Sequence, residues 1–282
     1  MAEWLGMKLG IVFCLLAAIA SAQSAIRILD WNIDRGKHLP AVTAALRRER
    51  PDIVLLQEVD RGTKRSGSID IAAELARQLG MSYTFEPAFR ELGQGGDAVQ
   101  GQAMLARGRM EGVRVIRYDQ QSHFWEPRAF LPNWGVMQRR TGGRIALVAE
   151  LKRGGRKLVV YNLHLESRGL GHTRDVQLEE TIRDTGRYPA GTPIIIGGDL
   201  NTLYGTKGVR ERLEESGFRN CFGDRTVRTH VIFGALDYIF VKGPLNCTEA
   251  VVLRGLNGSD HDPVAARITI DANPRNATHG AP

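Results

Sequence analysis

Between Ala25 and Ile270 the chain runs through many short β-branched stretches separated by only a few segments of helical periodicity. So many strands with so few helices can bury their apolar faces only if sheets stack on one another and helices cover the outside. The spacing predicts strands at Ala25–Trp31, Ile53–Leu56, Tyr83–Phe85, Gln102–Leu105, Gly112–Tyr118, Ile145–Leu151, Leu158–Leu165, Pro193–Ile196, Leu236–Val241, Ala250–Leu253 and Val264–Ile270. Helices are predicted at Pro40–Arg50, with Leu39, Val42 and Leu46 inward, and at Ile69–Leu79, with Ala72, Ala73, Ala76 and Leu79 inward and Gly80 as the C-cap. Two more fall near Thr173–Thr185 and Gly208–Ser216. The chain has 282 residues, 43% of them apolar and 24% charged, which is globular composition. No internal repeat or linker interrupts it apart from the Gly-rich loop Gly93–Gly101 and the tail Asp271–Pro282, so one domain over residues 23–270 is the economical expectation.

The N-terminus reads differently. Residues 10–20 (GIVFCLLAAIA) are apolar, Lys8 precedes them, and Ala20-Ser21-Ala22 offers a small-residue cleavage site. The expectation is a signal peptide over residues 1–22, cut after Ala22, and a secreted or periplasmic mature chain. The alternative is an uncleaved anchor, against which the run is short for a bilayer. No second apolar run follows, so no stable membrane span is expected. Removing the leader with Cys14 leaves Cys221 and Cys247, which in an oxidising compartment form either a disulfide or two buried thiols.

Polar residues gather where the apolar runs end. Asn32 and Asp34 follow ILDW, Glu58 follows IVLLQ, and His164 follows LVVYNL. Asp199 and Asn201 follow PIIIGG, Asp237 lies in ALDYIF, and Ser259-Asp260-His261-Asp262-Pro263 opens the last strand. Any one of these, taken alone, is ordinarily a turn former or a helix cap. Repeated along one chain, they point to a crevice at the strand ends, where a rigid scaffold aims side chains inward. Carboxylates, amides and imidazoles together suit a hard cation plus acid–base groups. Zinc-ligand spacing, a G-x-S-x-G elbow, a Walker loop and a G-x-G-x-x-G fingerprint are all missing, which ranks zinc enzymes, serine hydrolases and nucleotide-dependent enzymes low. Of the other histidines, His38, His123, His172 and His230 read as solvated or structural.

The motifs W-N-I-D (Trp31–Asp34), L-Q-E-V (Leu56–Val59), N-L-H-L-E-S (Asn162–Ser167), G-G-D-L-N (Gly197–Asn201), L-D-Y-I-F (Leu236–Phe240) and S-D-H-D-P-V (Ser259–Val264) resemble, in this order, the endonuclease/exonuclease/phosphatase superfamily. The resemblance implies an α/β (α+β) four-layer sandwich of two packed mixed β-sheets flanked by helices. It also implies phosphoester hydrolysis with Mg²⁺, for which Mn²⁺ can substitute. By motif, Glu58 is the main metal ligand, and Asp34 and Asp260 are ligands or water-mediated partners. Asp199 orients and deprotonates the attacking water, while Asn201 and Asn32 position phosphate and nucleophile. His261, held in its tautomer by Asp237, stabilises developing charge, and His164 approaches from the opposite side, where it is a candidate to protonate the leaving alkoxide. Family members differ over which group carries which proton. Arg168, in the loop after H-L-E, is either a ligand for substrate phosphate or a solvated arginine.

The substrate is less defined. A net charge of +7 and the cluster Arg139, Arg140 and Arg144 favour nucleic acid over lipid. Secretion and the stretch Phe124-Trp125…Phe130-Leu131…Trp134 suit a lipid-directed phosphodiesterase or phosphatase instead, although no long hydrophobic hairpin is present. A catalytically dead binding module is the third reading, and the intact residue set argues against it.

Overall fold

The computed structural model describes residues 25–127, 138–168, 171–202 and 206–271. The leader read over residues 1–22, the tail beyond Asp271, and Phe130, Leu131 and Trp134 lie outside the described residues. In chain order the elements are β1 (Ala25–Asn32), α1 (Leu39–Glu49), β2 (Ile53–Arg61), α2 (Ile71–Leu79), β3 (Ser82–Glu91), β4 (Val99–Ala106) and β5 (Met110–Arg117). There follow β6 (Arg140–Gly142), β7 (Ile145–Arg153), β8 (Arg156–His164), α3 (His172–Thr185), β9 (Ile194–Asp199) and α4 (Thr206–Glu215). The chain closes with β10 (Arg219–Asn220), β11 (Asp237–Lys242), β12 (Leu245–Val252) and β13 (Val264–Ile270).

These strands form two mixed sheets. A seven-stranded sheet has the order β12-β13-β1-β2-β4-β3-β6, and a six-stranded one the order β10-β11-β9-β8-β7-β5. Each contains one parallel pair whose strands are joined through a helix: β1 with β2 through α1, and β8 with β9 through α3. Alternate side chains of the central strands sort into separate layers. Ile28, Leu55, Val160 and Ile195 face the opposing sheet in the middle core. Leu29, Val54 and Leu56 meet Val42, Leu46, Ile71 and Leu75 of the helices on one outer side. On the other, Val159 and Tyr161 meet Leu178, Val209 and Leu213. The result is helices, sheet, sheet and helices, the expected four-layer sandwich. Both faces of β2, β8 and β9 are covered, which is why they read as continuous apolar runs rather than alternating ones.

Several boundaries differ from the sequence reading for local reasons. The second helix begins at Ile71 because the Asp70 side chain caps it, accepting from the Ala73 N–H at 2.9 Å. Its buried face is Ile71, Ala72, Leu75 and Ala76, rotated from the predicted one. Strand β2 runs on from Leu56 to Arg61 through a bulge between Leu56 and Val59. Strand β6, Arg-Thr-Gly, was not expected; its cationic sequence carries no strand signature, and it forms by pairing with Phe89–Glu91 of β3. Cys221 and Cys247 are joined in a disulfide that ties the β10 edge of one sheet to β12 of the other. Among the described residues, no helix is long and apolar enough to cross a membrane.

Candidate active site

The two parallel pairs bring their C-terminal ends to the same edge of the sandwich. In β8 and β9, His164 sits directly across from Asp199, and antiparallel β11 sets Asp237 opposite Asp199 on the other side. Near its end β9 requires glycine at 198: its φ is +143°, and a Cβ there would lie 2.0 Å from the Leu163 carbonyl oxygen. From the second sheet, Asn32 at the end of β1 reaches across, its Nδ2 donating to Asp199 Oδ2 at 3.1 Å. The 259–262 loop arrives from β13. Its path is fixed by the Trp31 indole donating to the His261 carbonyl at 2.8 Å, with Gly258 so close that a Cβ would meet the Trp31 ring at 2.5 Å.

The centre of the cluster is a chain of buried charges. His261 Nδ1 bonds Asp237 Oδ2 at 2.8 Å, and His261 Nε2 faces Asp199 Oδ2 at 3.8 Å. His164 Nε2 approaches the same Asp199 oxygen at 3.5 Å. Although burial favours the neutral ring, the carboxylates of Asp237, Asp199 and Asp260 hold the His261 pKa up at about 10. At neutral pH it is an imidazolium with a proton on each nitrogen. Burial pushes Asp199 up to about 6, against the pull of His261 and with repulsion from Asp237. His164 behaves in the opposite way to His261: burial, and then the charges of Arg144, His261 and Arg140, drive it well below the ordinary histidine range, so it is neutral. Two imidazoles flanking one carboxylate are thus held in different protonation states.

The amides are largely committed to this scaffold. Asn32 Oδ1 accepts from the Asp34 N–H at 3.1 Å, so one side chain bridges the turn and Asp199. Asn201 sits at φ +48°; its N–H donates to Asp199 Oδ1 at 3.0 Å and its Nδ2 to the Leu165 carbonyl at 2.9 Å. Buried Arg174 holds the Asn201 carbonyl at 2.6 Å, a support with no signature in the motif itself. Beneath the site, Gln57 Nε2 donates at 2.7 Å to both Asp30 Oδ1 and Asn162 Oδ1, linking the two sheets. Burial, then the Asp237 charge, hold Asp30 well above the usual carboxylate range.

The expected metal ligands are not gathered into one set. Glu58 lies in the β2 bulge at φ +52°, a conformation that bulges impose at cost and that redirects a side chain out of the ladder. Arg35 bridges it to Asp34, with Arg35 Nε 3.8 Å from Glu58 and Nη1 3.3 Å from Asp34, while Lys37 Nζ bonds Asp34 at 2.6 Å. Asp260 is instead engaged by His230, whose Nε2 is 3.5 Å away, and it stands beside His261. Despite partial burial, the charges of His261 and His230 hold Asp260 below the usual carboxylate range. His230 is no cation ligand here. Its Nδ1 accepts from the Ile232 and Phe233 N–H groups at 3.0 Å, so its proton is on Nε2, pointing at Asp260. Glu58 and Asp34 do fit a hard cation: they are oxygen donors, about one-fifth exposed, with room for retained waters, and no hydrogen bond engages the Glu58 carboxylate among the described residues.

Arg168 lies over the Phe124 ring, 4.5 Å from its centroid, at the rim of a cleft of about 490 Å³ that Glu58 also lines. Trp125 is buried and donates to Glu166 Oε2 at 3.1 Å, so it belongs to the support of that loop. Of the remaining histidines, His38, His123 and His172 are exposed and His230 is buried.

Residues 31–261 match the Endonuclease/Exonuclease/phosphatase family. No curated protein sequence matches the chain. Among solved structures, an endonuclease/exonuclease/phosphatase from Beutenbergia cavernae superimposes with a TM-score of 0.67 at 19% identity, covering 88% of this chain and 72% of that one. The human Nocturnin catalytic domain with bound sulfate gives 0.67 at 18% identity over 88% and 96% of the two chains. D. rerio TDP2 with a single-stranded DNA product gives 0.60 at 18% over 87% and 99%. Identities this low speak for a common architecture, while the family match spans most of the chain. The protein belongs to the endonuclease/exonuclease/phosphatase family, hydrolases of phosphoester bonds.

Proposed function

We propose that the protein is an exported, Mg²⁺-dependent phosphodiesterase that cleaves nucleic acid by in-line attack of water. The observation that carries this reading is the buried Asp237–His261–Asp199 chain, in which His261 Nδ1 bonds Asp237 Oδ2 at 2.8 Å and Nε2 faces Asp199 Oδ2 at 3.8 Å, so that a carboxylate pushed up to about 6 meets an imidazole held up at about 10. The first is poised near operating pH to accept a proton, and the second can donate one.

In this mechanism Asn32 and the Asn201 N–H fix the Asp199 carboxylate, which takes a proton from water as its oxygen attacks phosphorus. The His261 imidazolium hydrogen-bonds the phosphoryl oxygens as charge develops and gives its proton to the departing alkoxide. The proton held by Asp199 then has a short route back to His261 Nε2, 3.8 Å away, which restores the starting state. His164, held neutral with its Nε2 3.5 Å from Asp199 Oδ2, carries no imidazolium proton to give, so we assign the acid role to His261 and not to His164. A divalent ion held by Glu58 and Asp34 would supply Lewis-acid neutralisation of the phosphate. The disulfide between Cys221 and Cys247 supports export, since such bonds persist in oxidising compartments.

A second reading, lipid-directed hydrolysis, is favoured by one observation. Val231, Ile232 and Phe233 are 65%, 72% and 53% exposed on the loop that pairs with the Asp260–His261 segment. The test is a panel of plasmid, single-stranded DNA, RNA and sphingomyelin vesicles with Mg²⁺, using chain that starts at Gln23. Preferential turnover of nucleic acid supports the first reading, preferential turnover of vesicles the second, and turnover undiminished by chelator contradicts both.

A further inference from the structure

The cleft beside the catalytic cluster is lined by one carboxylate, Glu58, and by Arg35, Arg139, Arg140, Arg144 and Arg168. Two of the five cations are answered within the protein: Arg35 by Asp34 and Glu58, and Arg140 by Glu91 at 3.0 Å. Arg139, Arg144 and Arg168 have no carboxylate partner among the described residues. The adjoining residues 128–137 and 169–170 contain no Asp or Glu, so no acid from those segments can neutralise them.

Arg144 is the informative member. It is only 5% exposed; among the described residues its Nε has no hydrogen-bond partner, its one side-chain hydrogen bond goes from Nη2 to Ser167 Oγ at 3.2 Å, and its guanidinium lies 5.4 Å from the Phe89 ring centroid. A guanidinium cannot relieve its burial by losing a proton. A buried cation without a counter-charge is costly, and the cost is offset when an anion fills the cleft. That anion is not the phosphate being cleaved, because Asn32, His164, Asp199 and His261 do not line the cleft; the two sites meet at Glu58. The volume, about 490 Å³, is in the range that holds a nucleotide-sized ligand.

We infer that this cleft is a second anion subsite, anchored by Arg144 and rimmed by Arg139 and Arg168, which binds a substrate phosphate adjacent to the scissile one. The inference rests on the phosphodiesterase reading for its location and names the substrate class: phosphoesters with a second phosphate one sugar away, whether on a free nucleotide or along a strand.

Binding by calorimetry tests it without requiring turnover. In an Asp199→Asn background, thymidine 3′,5′-bisphosphate should bind about tenfold or more tightly than thymidine 5′-monophosphate. Arg144→Met should abolish the preference, and Arg168→Ala, at an exposed position, should reduce it. Pentathymidylate binding more tightly than the bisphosphate assigns the subsite to a strand, and equal binding assigns it to a nucleotide. Equal affinity for bisphosphate and monophosphate, or a preference that survives both arginine changes, overturns the inference. A protein that shows the preference but hydrolyses no phosphodiester would keep the subsite and sink the proposed function.

Discussion

Asp237→Asn isolates the charge of the central chain from its shape. The asparagine is isosteric, its N–H keeps the bond to Thr229 Oγ1, and its carbonyl can still accept from His261 Nδ1. What disappears is the first of the charges that raise the His261 pKa. The rise from 6.5 to about 10 corresponds to roughly 5 kcal/mol of preference for the imidazolium in a buried site. Without Asp237, burial opposes only Asp199 and Asp260, and the ring spends neutral pH uncharged. Loss of one charged donor to a developing oxyanion costs about 10²–10³ in rate. The assay is kcat/KM for bis(p-nitrophenyl) phosphate with Mg²⁺ across pH. The wild type should show an alkaline limb near pH 10, and the variant a lower plateau with that limb moved toward neutrality. Stability should follow the same linkage. A raised histidine pKa contributes stability that is complete below pH 6.5 and lost as pH climbs through about 10, and the variant should lack that slope. A variant with wild-type turnover and an unmoved alkaline limb would refute the charge assignment.

Other consequences are directly measurable. The acid limb of the wild-type profile should lie near pH 6, where Asp199 protonates; a rate flat from pH 7 down to 4 would remove it as the base. Glu58→Gln should lower turnover by several kcal/mol and raise the Mg²⁺ concentration needed for half-activity, with melting temperature nearly unchanged; an unaltered Mg²⁺ response would separate Glu58 from the metal. Reducing the Cys221–Cys247 bond, which closes a loop of sequence separation 26, should cost about 3–4 kcal/mol, or roughly 10 °C in melting temperature. Affinity for single-stranded DNA should fall steeply between about 50 and 200 mM salt if the arginine cleft carries binding, and a flat response would argue for lipid.

The fold was legible because its constraints are local. Runs such as Ile53–Leu56 and Ile194–Ile196 are apolar on both faces, which only a sheet covered on both sides accommodates. The residues of the cluster were legible as a group because they flank the ends of such strands, and strand ends on one edge meet. What escaped notice depends on partners distant in sequence. Arg144 reads, with Arg139 and Arg140, as part of a basic cluster suited to nucleic acid, and its burial emerges only when β6 and β7 fold it into the interior. His230 becomes buried only because residues 229–231 pair with 260–262. The opposite pKa shifts of His164 and His261 were invisible for the same reason: the first is hemmed in by Arg144 and Arg140, the second by Asp237, Asp199 and Asp260, and neither neighbourhood is written in the H-L-E or S-D-H-D motif.

The most direct measurement is the protonation of the two imidazoles by nitrogen-15 spectroscopy at pH 8. The account predicts that both ring nitrogens of His261 carry protons while His164 retains one unprotonated nitrogen. A neutral His261, or a cationic His164, would contradict it.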